Sequence, residues 1–301
     1  MKNIDEYSLS AQIWALRHYG EVGPRAFRVL LARFGCPAEI LMAEKEQLLA
    51  IEGLGDKKSG KITEAAEHLD ESEDFIRSLE ARKMAHCSMF DDFYPALLEE
   101  LNDPPPIIFH MGKLPRRDEP TVAIVGSHKA TGAGIGYALD LASRLAEKKI
   151  SIISGLAEGI DASAHIGALK AGGRTHAVIG SGLEEIYPVE NKALAEEIIK
   201  HGSVISEYSP ESKIIPGRLK ARNRLVAGLS QSVVIGEVMA DSNGTLDTAT
   251  FCHELGKLMF IMLDGCERPE RDNSSVKKII ALGAIPFHLD SGVDLIVKSM
   301  V

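Results

Sequence analysis

Hydrophobic and polar residues along this chain alternate in two distinct ways, and the change of pattern divides it. Residues 9 to 69 read as short helices joined at Gly23-Pro24, Gly35-Cys-Pro37 and Gly53-Leu-Gly55, where glycine and proline interrupt each helical run. The acidic stretch 70–80 reads as the end of the helical unit and the start of a connector, in which Phe93-Tyr-Pro-Ala-Leu-Leu98 and Pro104-Pro-Pro106 are extended, since three consecutive prolines exclude helix. From Thr121 the pattern becomes continuous Val and Ile runs. Strands are predicted at Thr121 to Val125, Ile150 to Gly155, Thr175 to Gly180, Ser203 to Tyr208, Gln231 to Val238, Lys257 to Met262 and Ala284 to Phe287. Between them lie helical patterns beginning near Ile135, Asp161, Asn191, Asn223, Thr245 and Ser274. Uninterrupted apolar strands alternating with helices imply an α/β fold with a parallel sheet covered on both faces. The expected units are a helical domain at 1–69, a connector at 70–118, a sheet domain at 119–289 and a tail at 290–301.

Three strands in succession end in glycine-marked loops: Val125-Gly-Ser127 leading to Gly132-Ala-Gly-Ile-Gly136, Ser154-Gly155 leading to Asp161, and Ile179-Gly-Ser-Gly182. A strand running into a glycine turn that opens a helix presents backbone amides to an anion. The spacing Gly-x-Gly-x-Gly departs from the dinucleotide fingerprint Gly-x-Gly-x-x-Gly, so a phosphate, not a dinucleotide, is expected there. In open parallel sheets the ligand lies beyond the carboxyl ends of the strands, where these loops meet.

Composition narrows the function. With 45% hydrophobic and 26% charged residues over 301 positions, there is material for a full core. No apolar run approaches a membrane span, the start Met1-Lys-Asn-Ile-Asp-Glu6 lacks a secretory pattern, and a cytoplasmic protein with reduced thiols is expected. Cys36, Cys87, Cys252 and Cys266 have no paired metal spacing, and His253-Glu254 lacks a second histidine, so no metal or cofactor is expected. Net charge is −9, which disfavours a nucleic-acid partner in the mean. The acid is concentrated at 70–74, 91–92 and 99–100, however, whereas Lys213 to Arg224 carries five basic residues and no acid.

The ordered motifs resemble one family, the DNA processing protein A (DprA/Smf) family. They are Phe93-Tyr-Pro-Ala-Leu-Leu98, Asp103-Pro-Pro-Pro106, Val122-Ala-Ile-Val-Gly-Ser127, Ser154-Gly-Leu-Ala157, Gly159-Ile-Asp161 with His165, Gly172-Gly-Arg-Thr175, Tyr187-Pro188 with Glu190-Asn191, Ser206-Glu-Tyr208, and Arg222-Asn-Arg224 before Ala227-Gly-Leu229. The resemblance implies an extended Rossmann-like domain preceded by a small all-α domain of sterile-alpha-motif or helix-hairpin-helix type. It also implies homodimerisation, binding of single-stranded DNA, delivery of that DNA to the RecA recombinase in natural transformation, and no catalysis. Carried onto this chain, the DNA contacts fall on Ser127, His128, Lys129, Ser154, Gly155, Arg174, Gly180, Gly182, Arg222, Asn223, Arg224, Gly244 and Thr245, with Tyr187 as a stacking candidate. Arginine would grip phosphate bidentately and glycine would let the backbone approach it. Asn191, Asp161 and His165 read as structural, capping or bracing loops and helices.

The chain departs from the family pattern at His128 and Glu158, where arginine is usual, at Asn243-Gly-Thr-Leu-Asp-Thr248, and at Asp264-Gly265. A winged-helix-like C-terminal domain carried by some relatives is not expected after Val301. Ala221-Arg-Asn-Arg224 with Asn243-Gly-Thr-Leu-Asp247 also resembles the cytokinin-activating (lonely guy) phosphoribohydrolases. Thr248 stands at their glutamate position and Asp247 is one residue early, about 100° away on a helix. A nucleotide hydrolase of that type, or a small-nucleotide sensor using the same pocket, is the alternative.

Overall fold

The computed structural model describes residues 3–239, 243–264 and 274–300, so Gly265 and Cys266 lie outside the described residues. The chain forms two compact units, one of residues 1–94 and 99–108, the other of residues 95–98 and 109–301.

The first unit is built on α1 (Leu9–His18), α2 (Pro24–Phe34), α3 (Pro37–Leu41), α4 (Lys45–Leu49), α5 (Asp56–Glu64), α6 (Leu69–Ala81) and strand β1 (Ala85–Ser88). Its breaks have local causes. The Ser8 hydroxyl accepts from the Ala11 amide to start α1, and Pro24 and Pro37 occupy first-turn positions where no amide is needed. Gly53 takes φ +84° in the turn before α5, a conformation other residues rarely adopt. Ile13, Leu16, Phe27, Leu30, Ile40, Leu48, Ile62 and Leu79 are buried between the helices.

The acidic stretch 70–80 is not a connector. It lies within α6, whose Leu69, Ser72, Ile76 and Leu79 are buried at helical spacing while Asp70, Glu71, Asp74 and Glu80 face water. Acidity there marks the solvated face of an amphipathic helix. Residues 290–301 are likewise no tail: α14 (Leu289–Lys298) packs Leu289, Val293 and Ile296 into the sheet domain's core beside Phe260 and Phe287.

The second unit takes residues 96–98 of the single turn α7 (Ala96–Glu99) and residues 109–112 of β2 (Ile107–Gly112), whose first two residues belong to the first unit. It continues with β3 (Thr121–Val125), α8 (Gly132–Glu147), β4 (Ser151–Ser154), α9 (Ile160–Lys170), β5 (Thr175–Val178), α10 (Lys192–His201) and β6 (Ser203–Ser206). It closes with α11 (Pro216–Gly228), β7 (Ser232–Ile235), α12 (Asn243–Glu254), β8 (Leu258–Met262), α13 (Ser274–Ala281), β9 (Ile285–Phe287) and α14. The sheet order is β1-β2-β6-β5-β4-β3-β7-β8-β9. Only the pairing of β2 with β6 is antiparallel among the registered pairs from β2 onward. This is the Rossmann-like α/β arrangement implied by the motifs.

Strands β3, β4, β5, β6 and β7 are buried along their full length, as both-face coverage requires. Each Val or Ile so buried contributes about 1.5–3 kcal/mol of transfer free energy. Strands β3 to β6 step in one direction, and β7 then returns to the other side of β3. That reversal falls between β3 and β7 and opens a crevice at the carboxyl end of β3, beside the loop after β4, which positions the site.

Helix α11 begins at Pro216, seven residues before the sequence pattern placed it. Proline at the first turn brings a pre-set φ and no unsatisfied amide. As a result Arg218, Lys220, Arg222 and Arg224 all lie on a helix with fixed faces.

Candidate nucleic-acid interface

A cleft of about 550 Å³ opens at the switch point. Its floor is Val125 and Gly126 from the end of β3 with Gly155, Ala157 and Asp161 from the β4–α9 loop. One wall is the α11 stripe Pro216, Leu219, Lys220, Asn223 and Val226 with Arg222 beside it; the other elements contribute His128, Glu158, Tyr187, Pro188, Gly244, Thr245, Asp247 and Thr248. The stripe at i, i+3, i+4, i+7 and i+10 is one face of the helix.

The glycine loops are built for an anion, and the chain supplies it. At the start of α8 the Glu237 carboxylate accepts from the Thr131 amide (2.6 Å) and hydroxyl (3.1 Å), while the Glu237 carbonyl accepts from the Ser127 amide (2.9 Å). Glu237 is 2% exposed, and a Cβ on Gly134 would overlap its carboxylate. At α9, Asp161 Oδ2 accepts from the amides of Gly155 (3.1 Å) and Ala157 (3.4 Å). The helix-terminus positions where a phosphate was expected are therefore occupied by internal carboxylates, which satisfy the same donors and dipole.

Burial pushes the Asp161 carboxyl up to about 6, against the opposing pull of Arg222 and the bonds from Ala157, Ser154 and Gly155. Arg222 is 5% exposed and donates to the Gly155 and Val178 carbonyls, with its Nε on Asn223 Oδ1 at 3.1 Å. Arg224 is 8% exposed and forms an ion pair with Glu207 Oε2 at 2.6 Å.

Of the residues expected to meet phosphate, His128, Gly155, Tyr187, Arg222, Asn223, Gly244 and Thr245 are brought together at the cleft. The others stand elsewhere. Ser154 is fully buried with its hydroxyl on the Ile124 carbonyl (2.6 Å), and Ser127 Oγ accepts from the Lys129 amide (3.1 Å), turning the loop so that Lys129 is exposed outside the cleft lining. Gly180 packs against the backbone of Arg218 and Leu219, and a Cβ on Gly182 would overlap the carbonyls of Ser209 and Pro210. Their missing side chains serve close packing.

Arg174 is a correction of another kind. It precedes β5 and so sits at the amino end of the sheet, where its Nε lies 3.0 Å from Glu119 Oε1 and its Nη2 donates to the Lys113 and Leu114 carbonyls. Glu119 there also accepts from the Ser151 hydroxyl and the Arg116 amide (3.0 Å), with His176 Nε2 at 3.4 Å. Burial alone would raise the Glu119 carboxyl, but His176, Ser151 and the Arg116 amide hold it down at about 2. The His176 Nδ1 meets Ser203 Oγ at 2.8 Å.

Three residues read as structural keep that role. Asn191 donates to the Leu156 carbonyl (2.8 Å), Asp161 closes its loop, and buried His165 meets the Thr175 hydroxyl through Nδ1 at 2.6 Å. Burial holds the His165 imidazole down at about 3. Missed altogether was Glu237, whose only sequence signal is a carboxylate following Gly236 at the end of a buried strand.

What remains available to a ligand lies at the mouth. Tyr187 is 49% exposed, Lys220 and His128 are exposed on the lining, and Lys213 and Arg218 flank the start of α11. The Arg218 guanidinium stacks over the Tyr208 ring at 4.6 Å. A neighbouring groove shares Glu158, Tyr187 and Pro188 and adds Glu185, Glu190, Ile186, Val189 and Ile214. It carries three carboxylates and no cation, so a polyanion is repelled on that side.

The sequence profile of DNA recombination-mediator protein A matches residues 85–293. The chain belongs to that family. Protein Smf of Synechocystis is 34% identical over 90% of this chain and 72% of its own length. The DNA processing protein DprA of Streptococcus pneumoniae is 39% identical over 62% of this chain and 67% of its own. The X-ray structure of Streptococcus pneumoniae DprA superposes with a TM-score of 0.75 at 28% identity, covering 92% of this chain and 94% of that one. Helicobacter pylori DprA, whose structure describes a single-stranded DNA binding mode, superposes with a TM-score of 0.61 at 25% identity, covering 71% of this chain and 96% of that one. Among the described residues of this family member, no helix is long and apolar enough to cross a membrane.

Proposed function

We propose that this chain binds single-stranded DNA at the mouth of the strand-end cleft, protects it, and passes it to the RecA recombinase during natural transformation. The observation that carries the reading is the cleft mouth itself: half-exposed Tyr187 stands with Lys220 and His128 on one lining, in a family whose Helicobacter pylori member binds single-stranded DNA. An unpaired strand is held by rings that stack on its bases and by a groove of cations that tracks its phosphates. Buried Arg222 and Arg224 are not the phosphate grip. They hold the crest together, and the contacts with the backbone fall to Lys220, His128 and the flanking Lys213, Arg218 and Lys129.

The protein acts as a cytoplasmic homodimer without catalysis. The dimer is supported by apolar residues left exposed near one edge of the sheet, Leu258 on β8, Ile280 on α13 and Ile285 on β9, each about two-fifths exposed. Absence of catalysis is supported at the position where the phosphoribohydrolases carry glutamate. Thr248 is 3% exposed and its hydroxyl is turned onto the Gly244 carbonyl (3.3 Å). Neighbouring Asp247 is paired with Lys220 at 2.8 Å. Neither supplies a free carboxylate for proton transfer.

Fluorescence anisotropy with a labelled oligothymidine tests the reading. Binding at low salt is expected, weakening as salt rises by a slope of about −0.7 for each phosphate contact. A protein that leaves the oligonucleotide free at low salt is not a single-stranded DNA-binding protein.

A further inference from the structure

Two cations of α11 line the cleft in opposite states. Arg222 is buried with its guanidinium on main-chain carbonyls. Lys220 is 63% exposed, and Asp247 Oδ1 of α12 holds its ammonium at 2.8 Å. The carboxylates around this crest differ in the same way. Asp161, Glu207 and Glu237 are buried and hold amides or Arg224, so moving any of them would orphan a buried donor. Asp247 is 28% exposed and its partner is more exposed still, so solvent and salt screen their attraction and the pair opens readily.

An incoming phosphodiester offers Lys220 the same single negative charge on two oxygens that Asp247 offers. We infer that Asp247 is a built-in competitor for Lys220, displaced by a backbone phosphate, and that it sets the affinity and salt dependence of the nucleic-acid site. The inference rests on the single-stranded DNA reading of the cleft. When the phosphate takes Lys220, Asp247 is left unpaired beside a second anion. Every bound strand therefore forms one contact at the expense of another and releases fewer counterions than the count of cations suggests.

Asp247→Asn removes the charge and keeps the shape. It is expected to tighten oligothymidine binding roughly three- to tenfold at low salt and to steepen the slope of log affinity against log salt by about 0.7, one phosphate contact. Lys220→Ala weakens binding, and in the Lys220→Ala background Asp247→Asn regains less than half of its gain. Glu254→Gln, an equal charge change about 10 Å further along α12, leaves affinity within about twofold when the variants are compared at about 0.15 M salt, where the screening length is about 8 Å. Unchanged thermal melting of Asp247→Asn shows that α11 and α12 still pack. The inference is overturned if Asp247→Asn binds no tighter than the parent, if its gain is as large without Lys220, or if Glu254→Gln reproduces it. Failure of the parent chain to bind oligothymidine is a separate outcome: it refutes the DNA reading and, if Asp247→Asn also fails, the competitor with it. Binding by Asp247→Asn alone refutes the DNA reading of the parent chain and keeps Asp247 as the group that blocks Lys220.

Discussion

The two ends of the parallel sheet use the same device to different effect. At the amino end, Glu119 gathers the Ser151 hydroxyl, the Arg116 amide, Arg174 and His176 into one cluster. At the carboxyl end, Glu237, Asp161 and Glu207 gather Thr131, the Gly155 and Ala157 amides and Arg224 in the same manner. There, however, the reversal of strand order holds the loops apart and leaves Lys220, His128 and Tyr187 facing solvent. Buried carboxylates are mortar at both ends. The ligand site is made from what the mortar does not use.

Removing mortar should cost most. Glu119→Ala leaves Arg174 and His176 without their carboxylate, and a loss of about 3–5 kcal/mol in urea unfolding is expected, with the DNA affinity of the folded protein unchanged. A loss below about 1 kcal/mol would show that the amino-end cluster is incidental.

Acid–base titration separates the two ends next. Asp161, raised to about 6 from 3.8, holds its proton more tightly folded than unfolded, so its contribution to stability falls as pH rises from about 4 to about 6. Glu119, lowered to about 2 from 4.5, works the other way, and its contribution is lost as pH falls below about 4.5. Buried His165, at about 3 instead of 6.5, also loses stability for the fold as pH falls through that span. The difference between the parent and Asp161→Asn isolates the first effect: it should move against the parent by on the order of 2 kcal/mol between pH 4 and pH 7. A difference that stays flat would mean that Asp161 is ionised in the fold as readily as in the unfolded chain.

The smallest effect belongs to the ligand face. Tyr187→Ala should weaken oligonucleotide binding by about 1 kcal/mol, the low end for one stacked base, and leave melting unchanged because the ring is half exposed. Unaltered affinity would move the bases off this ring.

The strands were legible because burial on both faces demands unbroken Val and Ile, and the position of the cleft followed from the glycine turns at their ends. The partners were not legible. Thr131 and Glu237 are 106 positions apart, and nothing local says that the second fills the anion site of the first. Arg222 and Arg224 look alike in sequence, yet one reaches main-chain carbonyls beneath the cleft and the other a carboxylate beyond β6. Arg174 was legible and misplaced: a residue just before a strand belongs to that strand's amino end, opposite the loops. Helix α6 was hidden by its acidity, although Leu69, Ile76 and Leu79 already marked its apolar face.

Gly134 has no side chain because a carboxylate borrowed from a distant loop stands in the room one would need. The dependence runs one way. A methyl could enter at 134 only alongside a shorter residue at 237, whereas 237 could shorten by itself at the cost of the Thr131 bonds.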